Sequence, residues 1–219
     1  MSVTLGCRFA AASALPDALI QSHIDVLSPY QRQIEQKLQQ FDPLVQEIFK
    51  QLDRYDLPDN LVLVPMLESS YNPQAISPAK AAGLWQLMPA TAKRFGLKVS
   101  YQRDERFEIA PSTDAAIQYL AFLYRKFKGD LTLTLAAYNA GEGRVQRTLR
   151  ASPNTPFHQL PLPRETQHYV RRFYALDSLI NVSSLRHDNF QPILLFAGQQ
   201  QWQKKPLIDL SPLPALISL

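Results

Sequence analysis

Residues Leu61 to Leu67 form a nearly unbroken apolar run, Leu-Val-Leu-Val-Pro-Met-Leu, that stops at Glu68-Ser69-Ser70. A helix that is apolar all round belongs in the interior, so this segment is expected to be a buried helix. Asp59 or Asn60 is placed to cap it. Pro65 argues against an uninterrupted helix, since proline breaks the hydrogen-bond ladder. Tyr71-Asn72-Pro73 closes the segment, as proline commonly does just past a helix end.

Helical periodicity dominates the flanks. From Pro29 to Tyr55, Ile34, Leu38 and Phe41 recur at helical spacing, followed by Leu44, Val45, Ile48 and Leu52. Pro43 suits a first turn and divides the stretch into two helices. Past Pro111, Ser112 or Thr113 can cap a helix with Ala116, Leu120, Leu123 and Phe127 on one face, ended by Gly129. Asp130 can cap the next, with Leu131, Leu135 and Tyr138 inward and Gly141 as the stop. Thr166 to Ile180 repeats the pattern through Val170, Phe173, Tyr174 and Leu176. Strand signals are sparse, with room for a short hairpin near 76–87, so the fold class is mainly α. Prolines cluster at 153–163 and again after 205, which read as a loop and an extended tail.

Composition narrows the function. Apolar residues make up 46% of 219 positions, enough for the core of one domain. The single cysteine, Cys7, excludes an internal disulfide and a cysteine metal cage. His23, His158, His168 and His187 are scattered, so no metal is expected, and no other cofactor. A net charge of +4 favours an anionic partner. The basic residues are spread along the chain without a run of five, and no RNA-binding aromatic motif occurs, which disfavours nucleic acid. Leu5-Gly6-Cys7 is similar to a lipoprotein box, but Thr4 precedes it without a hydrophobic run, so a frayed or truncated leader is expected. No segment reaches the apolar length of a membrane span.

Glu68 is the candidate for chemistry. Burial disfavours a carboxylate and raises its pKa, and a helix C-terminus adds to the effect. A carboxyl protonated near neutrality is what a general acid requires. The alternative is a glutamate whose tip reaches solvent at the helix end. The residues that follow bear on this choice: Ser77-Pro78, Ala82-Gly83-Leu84-Trp85-Gln86-Leu87-Met88-Pro89, Ala136-Ala137-Tyr138-Asn139-Ala140-Gly141 and Glu165-Thr166-Gln167-His168-Tyr169-Val170. By themselves, Trp85 serves equally as a core aromatic or a cleft wall, Tyr138 and Tyr169 as core, and Ser77 as a loop former. Asp104, Glu105 and Glu108 lie in a polar loop where solvated charge is expected.

In order and spacing, these motifs over roughly residues 55–185 closely resemble the soluble-lytic-transglycosylase (SLT) family of goose-type lysozyme-like enzymes, with Trp85 in place of the usual methionine as in its D-type members. The resemblance implies a lysozyme-like helical domain that cleaves the β-1,4 bond between N-acetylmuramic acid and N-acetylglucosamine and leaves 1,6-anhydromuramoyl ends. It implies Glu68 as the single acid and base, with Tyr169 holding its carboxyl. Ser77, Trp85, Gln86, Tyr138 and Asn139 are implied to bind substrate. A hydrolase on the same fold and a non-catalytic wall-binding protein are the competing outcomes. The implied partner is the peptidoglycan glycan strand, met by a monomer in the periplasm or on the cell envelope. The expected organisation is a weakly structured segment 1–28, a catalytic domain 29–185, and a tail 186–219 without a wall-binding repeat.

Overall fold

The computed structural model describes residues 15–187. Nine α-helices account for most of these residues. They are α1 Asp17–Leu27, α2 Gln31–Gln40, α3 Asp42–Arg54, α4 Val64–Ser69, α5 Pro89–Arg94, α6 Ile109–Lys126, α7 Leu131–Ala140, α8 Glu142–Ala151 and α9 Arg164–Leu179. The apolar run is buried throughout. Leu61 to Val64 have no exposed surface, and Pro65, Met66 and Leu67 are also buried. Burying each such side chain contributes roughly 1.5–3 kcal/mol relative to exposure. A 3-10 turn, Asp59–Leu63, leads into α4, so Pro65 falls in the first turn, where its missing N–H costs nothing.

The chain leaves α4 through two successive left-handed residues, Ser70 at φ +51° and Tyr71 at φ +59°. Each costs a non-glycine residue roughly 1–2 kcal/mol. Tyr71 offsets this by complete burial and by donating its hydroxyl to the Val62 carbonyl at 2.7 Å. The sharp reversal leaves Glu68 at the end of a rigid, buried helix.

Helices α2 and α3 form as expected, with Pro43 in the first turn of α3. Asp130 caps α7 by accepting from the Leu133 N–H, and Gly141 at φ +84° ends that helix. Helix α6 starts at Ile109, earlier than Ser112 or Thr113 would place it. Pro111 sits in its first turn, and the two hydroxyl residues lie inside the helix, buried. The hairpin expected near 76–87 is reduced to the isolated bridges Ile76 to Ala82 and Ala82 to Leu87.

The segment 1–28 is a correction over its second half. Residues 17–27 form α1, and α1 against α9 is the most extensive helix–helix contact among the described residues. Ile20, Ile24 and Leu27 give α1 a helical stripe, and burying it on α9 outweighs the weak apolar character of the flanking sequence. Residues 1–14, including Cys7, and the tail from 188 lie outside the described residues. The expected tail begins docked: Arg186 bonds to Asp53 and Asp59, and His187 to Asp42. No helix among the described residues is long and apolar enough to cross a membrane. Helices α4 and α7 both pack against α9, which brings the ends of α4 and α7 to the first turns of α9.

Candidate active site

Glu68 lies in the last turn of α4. The residue keeps some exposed surface while its carboxyl is largely surrounded by protein. Burial pushes its pKa up to about 8, the Tyr169 hydrogen bond pulls it down, and the charge of Glu165 pushes it up further. The Tyr169 hydroxyl donates to Glu68 Oε1 at 2.7 Å. The second carboxyl oxygen has no hydrogen-bond partner among the described residues. Glu68 is therefore a protonated acid at neutral pH, with one oxygen held and the other available.

Burial pushes the Tyr138 phenol well above its ordinary pKa, and Glu68 stands close enough that its charge adds to the rise. Its hydroxyl donates to the Trp85 carbonyl at 2.8 Å and its ring stacks on Tyr119 at 5.3 Å. Asn139 follows on α7, and its Oδ1 accepts from the Thr166 hydroxyl at 2.9 Å, which leaves its amide N–H groups as donors. Gln86 donates from Nε2 to the carbonyls of Ala75 and Gly83, so its Oε1 remains as an acceptor. Ser77 closes the turn 77–81 by accepting from the Ala81 N–H at 3.0 Å. Its hydroxyl proton has no acceptor among the described residues.

The structure thus joins Glu68 directly to Tyr169 and sets Tyr138 within electrostatic reach. Asn139 and Gln86 are oriented by Thr166 and by backbone carbonyls. The hydrogen bonds of Ser77 stay inside its own turn.

Trp85 is a correction. It has no exposed surface, and its Nε1–H donates to Thr113 Oγ1 at 3.0 Å. The ring is a core member and offers no face to a ligand. What Trp85 contributes to the site is its carbonyl, which holds Tyr138.

The sequence concealed several supporting residues. The Ser69 hydroxyl donates to the Leu84 carbonyl at 2.7 Å and ties the end of α4 to the turn 83–86. Its place beside Glu68 is the signal that could have found it. Arg106 is buried, bonded to Asp104 and to the carbonyls of Lys80 and Leu87. Its Asp104 partner is held below the usual carboxylate range by that hydrogen bond. Glu105 is also buried and accepts from the Lys98 N–H at 2.6 Å. This part of the polar loop is therefore structural rather than solvated, and no periodicity in the sequence marks it. Gly83 is required by the same contact, because a Cβ there would lie 1.8 Å from the Arg106 carbonyl oxygen. Glu165 is exposed in the first turn of α9 and acts on Glu68 only through its charge. Among the described residues, no group of three or more His, Cys, Asp or Glu could hold a metal ion.

Comparison with known proteins supplies the lineage. The family model for the transglycosylase SLT domain matches residues 46–160, more than half of the chain, and stops nine residues before Tyr169. Membrane-bound lytic murein transglycosylase D of Escherichia coli (strain K12) is 40% identical over 146 residues, covering 65% of this chain and 32% of that protein. Membrane-bound lytic murein transglycosylase C of Haemophilus influenzae (strain PittGG) is 30% identical over 164 residues, covering 69% and 44%. The chain thus spans less than half of the length of these relatives. An inactive mutant of the lytic transglycosylase Slt from Pseudomonas aeruginosa matches with a TM-score of 0.54 at 22% identity, over 80% of this chain and 31% of that one. A 70-kDa soluble lytic transglycosylase in complex with bulgecin A matches with a TM-score of 0.54 at 24% identity, over 74% and 29%. Identities this low show the fold alone, and it is the mainly helical fold of the SLT transglycosylase structures. With the family model covering most of the helical core from α3 to the loop before α9, the chain belongs to the transglycosylase SLT domain family.

Proposed function

We propose that this chain is a lytic transglycosylase that cleaves the β-1,4 bond between N-acetylmuramic acid and N-acetylglucosamine in peptidoglycan glycan strands. The observation that carries the proposal is the Glu68 carboxyl enclosed by protein, with one oxygen held by Tyr169 and the other unpartnered among the described residues; its burial pushes the pKa up to about 8 and so favours the protonated acid near neutrality. Murein transglycosylase activity is named for the relatives at 40% and 30% identity.

The free oxygen of Glu68 donates its proton to the glycosidic oxygen as the bond from that oxygen to C1 breaks. The carbonyl oxygen of the sugar's own 2-acetamido group bonds to C1, so no protein nucleophile is needed. The Glu68 carboxylate then takes the proton of the C6 hydroxyl, whose oxygen attacks C1 and displaces the acetamido oxygen. The products are a free 4-hydroxyl and a 1,6-anhydromuramoyl end, and Glu68 is protonated again. One group acts as acid and then base, with the alternation of roles that retaining glycosidases also use. The Tyr169 hydrogen bond strengthens while Glu68 is anionic, because bonds to charged acceptors are the stronger ones.

Substrate contacts follow from the atoms left unpaired. Asn139 presents donors, Gln86 an acceptor and Ser77 a hydroxyl proton, a set that suits acetamido and hydroxyl groups. Tyr138 contributes its ring, since its hydroxyl is committed to Trp85. The substrate assigns the working protein to the periplasm or the cell envelope, and a monomer suffices, since Glu68 and Tyr169 come from one chain.

The test is mass spectrometry of fragments released from purified peptidoglycan. Anhydro ends, lighter by one water than hydrolysed ends, are expected from the wild type, and no release from Glu68→Gln. Hydrolysed ends would make the enzyme a lysozyme-type hydrolase. Release by a folded Glu68→Gln variant would remove Glu68 from its role.

A further inference from the structure

The basic residues are spread along the chain, but their surplus over acids is not. Residues 141–172 contain six arginines, no lysine and two acidic residues, a surplus of four that equals the net charge of the whole 219-residue chain. Half of these arginines lie on α8, as Arg144, Arg147 and Arg150. Their spacing of three places them on one helical face. Val145, with no exposed surface, and the partly buried Leu149 lie on the opposite face. All three arginines are exposed, and none forms an ion pair with another described residue.

This row is fixed to the candidate site. Glu142, in the first turn of α8, bonds Arg94 at 2.6 Å, and its charge acts on Tyr119, whose ring stacks on Tyr138. Arg144 lies five residues past Asn139, and the row runs about 9 Å along the helix from there. A polymer bound at Glu68 continues past the bond that is cut, so a cationic stripe beside the site meets its flanking groups. In peptidoglycan the anionic groups on the strand are the carboxylates of its peptides, and these are the groups a cationic row attracts. Guanidinium groups pair with carboxylates in a planar, two-pronged geometry that a lysine cannot supply.

We propose that Arg144, Arg147 and Arg150 form a docking face for the peptide carboxylates of the wall polymer, so that the chain grips the strand by its peptides as well as by its sugars. This deepens the lytic transglycosylase proposal and rests on it for the choice of polymer.

The experiment is co-sedimentation with insoluble peptidoglycan, either native or with its carboxyl groups converted to amides, using the wild type and R144Q/R147Q/R150Q. Exposed pairs are individually weak, so the three together are expected to weaken binding to native wall about tenfold. They are expected to leave binding to amidated wall unchanged and to flatten the salt dependence. Wild type on amidated wall should match the variant on native wall. Equal losses on both walls, or no loss on either, would overturn the proposal. So would a variant that loses binding to phosphatidylglycerol vesicles while keeping its affinity for native wall, since the face would then belong to lipid. Release of fragments is read in the same tubes. A wild type that releases nothing yet shows the arginine and carboxylate dependence would sink the catalytic proposal and leave the docking face standing.

Discussion

Tyr169→Phe removes one hydroxyl and isolates the 2.7 Å bond to Glu68. A hydrogen bond to a charged group contributes about 1.5–3 kcal/mol, and one to a neutral group about 1 kcal/mol. The carboxylate therefore loses roughly 0.5–2 kcal/mol more than the acid does, equivalent to about 0.4–1.5 pKa units. The tyrosine bond pulls the pKa of Glu68 down towards about 8, so its loss must move it up. Activity that needs a protonated Glu68 falls as pH rises through that value, and in the variant this alkaline limb should move up by about one unit. The rate at the plateau should fall about tenfold or more, because the anionic stage that accepts the C6 proton has lost its support. At pH 7 Glu68 is neutral, so stability should drop by only about 1 kcal/mol, or about 2–4 °C in Tm. The assay is release of soluble fragments from purified peptidoglycan between pH 5 and about 10, with Tm measured on the same preparations. An alkaline limb that stays in place at an unchanged rate, or one that moves down, would refute the argument.

Glu68→Gln should trade activity for stability in a pH-dependent way. The folded pKa of Glu68 is raised from 4.5 to about 8, so the stability tied to its proton is present below 4.5 and lost as pH rises through 8. The Tm of the variant should match wild type near pH 4.5 and exceed it by about 10–20 °C near pH 9; a constant difference across that window would contradict the assignment. Trp85→Phe deletes the bond to Thr113 and leaves a void, so Tm should fall by about 4–8 °C with KM for the wall unchanged. A raised KM at constant Tm would return the ring to the cleft wall. Thr166→Val frees the Asn139 amide to rotate and should raise KM several-fold, with Thr166→Ser restoring it; two variants of equal KM would leave Thr166 a packing residue. Gly83→Ala places a Cβ against the Arg106 carbonyl at φ +80° and should cost at least about 3 kcal/mol. Circular dichroism melting at wild-type Tm would show that the turn can move.

Much of the fold was legible because it depends on period and punctuation. The stripe Ile34, Leu38, Val45, Ile48, Leu52 and the stops at Pro43 and Gly141 locate α2, α3 and α7 without tertiary information. The start of α6 was missed because Ser112 and Thr113 look like caps but are taken by interior contacts, Thr113 by Trp85. Helix α1 was missed because its stripe of Ile20, Ile24 and Leu27 is short and gains its value only against α9. Within the candidate site, the apolar run by itself left a solvent-reaching Glu68 open, and motif resemblance singled it out together with Tyr169, the residue that bonds it. Arg106 and Glu105 were not legible, since a buried charge in a loop is distinguished from a solvated one only by carbonyls and amides that arrive from distant residues.

The turn from Gly83 to Leu87 explains why the motifs occur together. Its Leu84 carbonyl accepts from Ser69, its Trp85 carbonyl from Tyr138, its Gly83 carbonyl from Gln86 and its Leu87 carbonyl from Arg106. The Gly83 and Leu87 carbonyls also accept the N–H groups of Gln86 and Ala82, whereas those of Leu84 and Trp85 have no backbone donor among the described residues. A buried carbonyl left unpaired costs about 1–3 kcal/mol, so Ser69 and Tyr138 are held by a structural demand before any substrate arrives. Ser69 adjoins Glu68, Tyr138 adjoins Asn139, and Gln86 keeps its free acceptor. The turn therefore sets the spacing between the acid and its donors and acceptors, although none of its own side chains needs to touch the reacting atoms. The buried Trp85 anchors that turn through its indole, while its carbonyl positions Tyr138 beside the acid. A substitution anywhere in this set should change stability and rate together. Only those at Glu68, Tyr169 and Asn139, whose bonds bypass the turn, should separate the two.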